Sequence, residues 1–452
     1  MSVSHPPLNL QVETGSRQIL KIALPISAAI IVPQINFITN NIFLGGLGQL
    51  ELGIAGITGV YYLLFAVIGN GLNNGLQALI SRRAGENRID EIGSLFWHGV
   101  RIAMVFALMG ILLTWFIAPT VLSWSLHDPT GVKIAIDFLT IRILGLPILY
   151  IYQMRNALLV GTNQSKYLII GTATEAIVNI VLDYGLIYGK LGMPNMGFNG
   201  AAYASIIAEL AGLVAVFGVI RMIGISKQLQ LFKKVNYEKR YIRLILNQSY
   251  PLILQHAISI MSWEYFYILI EHHGARDLAI SNTMRNLFGF FGCFTWAFAA
   301  TTNTMVSNVI GQGKREEVIP LIYRILKWSV GFAVCVFIIL NISPRLFLGV
   351  YGQGEDFVTA AIPVMRIVSV AMVMMSVAVV WVNAVTGTGN SKMNLYTEAA
   401  TIIFYLIYVY IVLEKFNMPI TWGWASEWIY WSVMFIPSFW YIRSNRWKKL
   451  VI

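Results

Sequence analysis

The sequence predicts an all-α integral membrane protein of twelve transmembrane helices, in two six-helix lobes related by a pseudo-two-fold axis along the membrane normal. Three observations predict it: repeated apolar runs long enough to cross a bilayer, basic residues sorted to one side of those runs, and an internal duplication. Hydrophobic residues are 57% of the 452, charged residues 12%, and the mean hydropathy is +0.67. No water-soluble core of this length requires that excess.

About 20 apolar residues cross roughly 30 Å of hydrocarbon as a helix. In order, such runs occupy 19–47, 52–80, 94–117, 135–160, 168–189, 200–223, 244–272, 278–310, 321–342, 358–385, 394–414 and 422–442. The first is unusually polar for a spanning helix, with Gln34, Asn36, Asn40 and Asn41. The second leads into ISRRAGENR, the fourth into GTNQSK, the seventh into EHHG, the eighth into NVIGQGKRE and the tenth into GTGNSK, each a turn signal. The twelfth opens with Trp422, Trp424 and Trp428, residues that suit a membrane interface. Polar residues 1–16 carry neither a basic n-region nor a small-residue cleavage site, so no cleaved signal peptide is expected. Cys293 and Cys335 fall inside spans, where a thiol behaves as a small apolar side chain, so no disulfide framework is expected.

The net charge of +11 does not gather on a soluble domain, so a nucleic-acid partner is not expected. With the N-terminus inside, nineteen Lys and Arg fall in cytoplasmic segments and five, Lys133, Lys190, Arg276, Arg345 and Lys415, in outer loops. That bias predicts an even number of crossings with both termini cytoplasmic. The longest cytoplasmic segment, 227–243, reads as a linker between an N-lobe, 1–226, and a C-lobe, 244–452.

The second half repeats the first. Pro25 matches Pro251, Gly46 matches His272 and Gly161 matches Gly387, each 226 residues later, while Gly85 matches Gly313 at 228. Six helices repeated in the same order make a parallel repeat, a scaffold that can enclose a cavity and open it to alternate sides. Residues present in both copies are candidates for folding roles: Arg142 with Arg366, read as anchors near outer helix ends, and Glu175 with Glu398. Asp183 in VNIVLDYGLIYG has no acidic counterpart, since the matching stretch is LIYV at 406–409. A carboxylate near mid-span costs on the order of 2.5–3.5 kcal/mol on insertion scales, so an unmatched one points to function.

Glu175, Asn179 and Asp183 share an arc of about 80° on one helix face. Ser205 and Glu209 on the sixth span, and Gln34 and Asn40 on the first, offer further oxygens. A carboxylate among amide and hydroxyl oxygens can hold sodium transiently or bind a proton; no resident metal or cofactor is expected. In the second half, Glu264 is also unmatched, its counterpart being Ile38, and can form a site with Asn282 or Arg285.

The chain resembles the multidrug and toxic compound extrusion (MATE) family. The resemblance rests on ALPI with NNIFLGGLG, GLQALISRRAGENR, LVGTNQSK, VNIVLDYGLIYG followed by MGFNGAAYAS, and NVIGQGKREE. It implies an antiporter of the plasma membrane, exporting organic cationic or amphipathic compounds against H+ or Na+ entry; a monomer in contact with membrane lipid and a small-molecule substrate is expected. In the prokaryotic DinF-like branch the fifth-span acid and the asparagine one turn earlier form the cation site, matched here by Asp183 and Asn179. That branch usually has aspartate where this chain has Asn40, and its sixth-span hydroxyl corresponds to Ser205.

Two other readings remain open. A lipid-linked oligosaccharide flippase of the same superfamily would line its cavity with cations, whereas the candidates here are mostly acids, amides and aromatics, Arg285 excepted. A membrane-embedded enzyme would need a catalytic motif, and the chain has no HExxH or GxSxG. The adjacent His272 and His273 point about 100° apart, and GQGKRE lacks the first Gly and the hydroxyl residue of an ATP loop.

Overall fold

The computed structural model describes residues 9–125, 128–231, 233 and 235–450, apart from the side chains of Phe37, Asn41, Gln49, Leu52 and Ser125. Of the sequence-based expectations, those on residues 1–8, Lys234 and the Asn41 side chain lie outside the described residues. Among the described residues there is no β-strand, and twelve long helices follow one another. We label them α1 (Ser16–Gly45), α2 (Gln49–Gly85), α3 (Ile89–Ser125), α4 (Pro129–Gly161), α5 (Leu168–Tyr188), α6 (Phe198–Met222), α7 (Lys239–Glu271), α8 (Ala275–Gly311), α9 (Val318–Ile342), α10 (Glu355–Thr388), α11 (Ser391–Val409) and α12 (Ser426–Arg443). Nine of these segments are long and apolar enough to cross a membrane, and the other three, α7, α8 and α12, carry more polar side chains. The chain is a multi-pass membrane protein.

Most helices outrun their apolar stretches because polar turns continue them beyond the hydrocarbon. The twelfth starts later than its apolar run: a short helix, Ile420–Trp424, precedes α12. In α4, Asp128 caps the start by accepting from the Thr130 and Gly131 amides at 3.1 and 3.0 Å. A 3-10 turn at Ile143–Gly145 interrupts α4 just before Pro147, whose missing N–H cannot close the regular ladder. The duplication persists in backbone geometry: Asn163 and Gly389, 226 apart in GTNQSK and GTGNSK, both adopt positive φ, 62° and 96°. Glycine and asparagine are the residues that tolerate that conformation, which is why they recur at this turn.

The chain packs as two units. One holds Ala28–Ser249, the other Val12–Ser27 and Tyr250 onward. The division between these units falls inside α1 and α7, and α7 includes Lys239–Arg243. In the N-terminal unit a buried cluster joins Leu44, Ile54, Leu122, Leu139, Ile187 and Phe198. In the C-terminal unit a buried cluster joins Phe266, Met284, Tyr405 and Trp424. Leu108, Leu112 and Phe116 on α3 are exposed, as side chains in contact with lipid must be.

The α5–α6 pair sets up the site. A Cβ on Gly200 would lie 2.8 Å from the Leu186 carbonyl group, and one on Gly212 would lie 2.7 Å from the Gly171 oxygen. Only hydrogen fits at those crossings, so the two helices meet backbone to backbone.

Candidate functional site

The α5 helix has two faces. Ile177, Val181 and Tyr184 are exposed, while Thr172, Ala176, Asn179 and Asp183 are buried. Asp183 is 0% exposed and Asn179 is 1%. Both Asp183 carboxylate oxygens and the Asn179 Nδ2 lack a hydrogen-bond partner. The aspartate thus faces protein rather than acyl chains, and among the described residues no arginine pairs with it. An isolated buried carboxylate is costly, and this one has no compensating partner in the protein.

Aromatic contacts bring α1 against the outer end of α5. The Tyr188 hydroxyl donates to the Phe43 carbonyl at 2.6 Å, and the Phe43 ring lies 6.4 Å from Tyr184 and 6.1 Å from Tyr188. Asn40, one turn before Phe43, has a buried Oδ1 without a partner, as does Asn36. These α1 amides and the α5 acid are open polar groups on helices that touch near Phe43. Gln34 and Ser205 are half-buried, and no hydrogen bond links either to Asp183.

Glu175 and Glu209 belong to a different cluster. Arg142 donates from Nη2 to Glu209 Oε1 at 2.5 Å and from Nη1 to Oε2 at 3.4 Å. The guanidinium carbon also lies 4.1 Å from the Tyr62 ring centroid. Arg142 is therefore half of a buried ion pair, which corrects its reading as an interfacial anchor; its repeat partner Arg366 is exposed. The pairing was hidden because α4 and α6 are 67 residues apart at this contact. Glu175, one turn before Asn179, lies within electrostatic reach of Glu209, Arg155 and Arg142.

Arg155 was missed entirely. It is 0% exposed, stacks 3.7 Å from the Tyr152 ring centroid, donates to Asn156 at 2.6 Å and pairs with the Tyr152 hydroxyl. Its signal was available: a basic residue inside the 135–160 run.

In the C-terminal unit, no ion pair joins Glu264 to Arg285. Arg285 is exposed and lies 5.2 Å from the Tyr267 ring centroid; Glu264 also acts on Tyr267, and no hydrogen bond links Asn282 to Glu264. Of the two adjacent histidines, His272 bonds Glu414 and His273 the Leu413 carbonyl, each at 3.0 Å.

This geometry can be set beside known proteins. The MatE family model matches twice, over residues 25–185 and 251–411, and the two matches are themselves displaced by 226 residues. A probable multidrug resistance protein NorM of Synechocystis is 23% identical over 353 residues, covering 76% of this chain and 75% of that protein. A MATE crystallised in complex with MaL6 has a TM-score of 0.88 at 16% identity, with 98% of this chain and 99% of that one covered. A MOP superfamily transporter of Pyrococcus furiosus, described as having a binding pocket of reverse polarity, has a TM-score of 0.87 at 15% identity, with 98% of each covered. Those likenesses establish a shared fold, and the double match over more than half its length establishes that the chain belongs to the MatE family, whose members are secondary transporters and not enzymes.

Proposed function

We propose that the protein is a cation-coupled efflux antiporter for organic compounds, driven by H+ or Na+ exchange at Asp183 with Asn179 and Asn40 as neighbouring polar groups. The observation that carries this reading is the fully buried Asp183 carboxylate with neither oxygen partnered. Such a group binds a cation strongly when water reaches it and has no structural bond to break when it lets go. The relative named for multidrug resistance supports export of drug-like compounds. One charge crossing about 100 mV supplies roughly 2.3 kcal/mol, enough for about a fifty-fold gradient of a neutral substrate. The proposed setting is a bacterial or archaeal inner membrane, with a monomer whose termini are cytoplasmic, in keeping with the distribution of basic residues.

Asp183→Asn tests the coupling. Reconstituted variant protein should lose substrate exchange against imposed proton or sodium gradients while still inserting. Exchange at the unmodified rate refutes the role.

Arg155 favours a second reading, since a fully buried cation suits an anionic headgroup. Lipid flipping by the purified protein, without dye efflux, would establish that reading in place of the first.

A further inference from the structure

Two acids outside the candidate site lie deep in the C-terminal unit. Glu398 on α11 is 1% exposed and Glu427, in the first turn of α12, is 6%. Among the described residues neither forms an ion pair. Their partners are neutral: Glu398 Oε1 accepts from the Tyr430 hydroxyl at 2.7 Å, Oε2 accepts from Gln255 Nε2 at 3.2 Å, and Glu427 Oε2 accepts from Trp431 Nε1 at 3.0 Å. Tyr430 joins the acids, because it also lies within electrostatic reach of Glu427.

Two further hydroxyls lie in this neighbourhood. Tyr405, 2% exposed and within electrostatic reach of Glu427, pairs with Ser426, 0% exposed. The ring centroid of Tyr405 is 5.9 Å from that of Tyr430. Buried acids held by neutral hydroxyl, amide and indole groups, without a countercharge among the described residues, are what a site for an exchangeable proton requires.

The surrounding charged and titratable groups are few. From α7 come Ser259, Gln255 and Tyr267, with His256 turned to the Leu252 carbonyl; from α11 and α12 come Tyr405 and Tyr430. Arg285 of α8 and Glu264 of α7 act on Tyr267, which itself senses Glu427. The α10 segment packed here offers the Ile367 carbonyl to Trp428 and apolar side chains.

We propose that Glu398 and Glu427, linked through Tyr430, form a proton-binding site in the C-terminal unit. The Ser259 Oγ lies 3.1 Å from the Tyr430 hydroxyl, and either oxygen can donate. When a proton from water adds to Glu398 Oε1, that new O–H donates to Tyr430, whose own hydrogen swings to Ser259. The relay reverses when the proton leaves, so atoms and charge balance without any other reactant. The site would supply a second exchangeable charge to the transporter proposed above, yet its protonation can be measured without transport.

The experiment is infrared difference spectroscopy of the purified full chain, stepping the pH between about 5 and 9, a range that spans buried carboxyl titrations. The protonated-carboxyl band should lose intensity in Glu398→Gln and in Glu427→Gln, both of which keep a hydrogen-bonding side chain. Tyr430→Phe, which keeps both acids, should move the pH at which the band appears. An unchanged band in the double glutamine variant overturns the proposal, as does a band abolished by sodium but not by choline at fixed pH. Asp183→Asn exchange, assayed alongside, decides the coupling role of Asp183 whatever the band does.

Discussion

Glu209→Gln offers a direct test of the distinction between the two acid clusters of the N-terminal unit. The Arg142–Glu209 side chains are 12% and 8% exposed, and their closest approach is 2.5 Å. At an effective dielectric constant near 20, opposite charges about 3 Å apart attract by roughly 5 kcal/mol, and removing one partner from such a pair typically costs about 3–5 kcal/mol. Glu209→Gln should therefore destabilise the unit by about 3 kcal/mol, since the Arg142 guanidinium is left buried against the Tyr62 ring with Glu175 as a more distant acid that does not hydrogen-bond it. The double variant Arg142→Met/Glu209→Leu should recover most of that loss, because matched apolar replacements remove both charges together. Reversible chemical unfolding in lipid–detergent micelles measures the full double-mutant cycle. A Glu209→Gln cost below about 1 kcal/mol, or additive single variants, would refute the ion-pair reasoning. Exchange per folded molecule should survive Glu209→Gln.

Asp183→Asn should behave oppositely in stability: removing an unpartnered buried charge leaves unfolding free energy equal or higher, and a loss above about 2 kcal/mol would show that the carboxylate has a structural partner. Restoring an acid with Asn40→Asp should change the sodium or pH dependence of exchange; unchanged profiles would separate Asn40 from the site. Gly200→Val places its side chain against the Leu186 carbonyl and should destabilise the α5–α6 contact by about 1–3 kcal/mol, read by the same unfolding assay. His98, 0% exposed, accepts from the Glu238 amide at 2.9 Å while its Nδ1 is held 2.7 Å from the Ser94 carbonyl. His98→Phe leaves that amide without its acceptor, costing about 1–3 kcal/mol, and should hasten proteolysis near residue 238.

Helix number, the repeat and the buried face of α5 were legible in the sequence because each leaves a periodic trace. Hydrocarbon thickness sets the length of an apolar run, and 100° per residue places Asn179 with Asp183. Pairings between distant helices leave no such trace. Glu209 and Ser205 share a face of α6, yet the Arg142 guanidinium reaches only Glu209. Glu427 was hidden for a different reason: it sits among Trp422, Trp424 and Trp428, a composition that suggests an interface, while Trp424 is in fact fully buried. Exposure along the twelfth segment depends on where Ile420–Trp424 breaks from α12, and apolar content alone does not mark that break.

The α2–α3 turn carries a practical consequence. Each of these helices has 37 residues, about 55 Å at 1.5 Å per residue, well beyond the roughly 30 Å of hydrocarbon. Their junction is braced by Arg83, which reaches Glu86 at 2.8 Å and Glu91 at 2.7 Å, and by Arg88 with Glu91. The tip of the turn is exposed at Asn87 and Arg88 while Arg83 and Glu91 beneath it are buried, so a fiducial protein spliced at the tip would stand on a braced base, rotate with the transporter and allow a particle this small to be aligned in electron images.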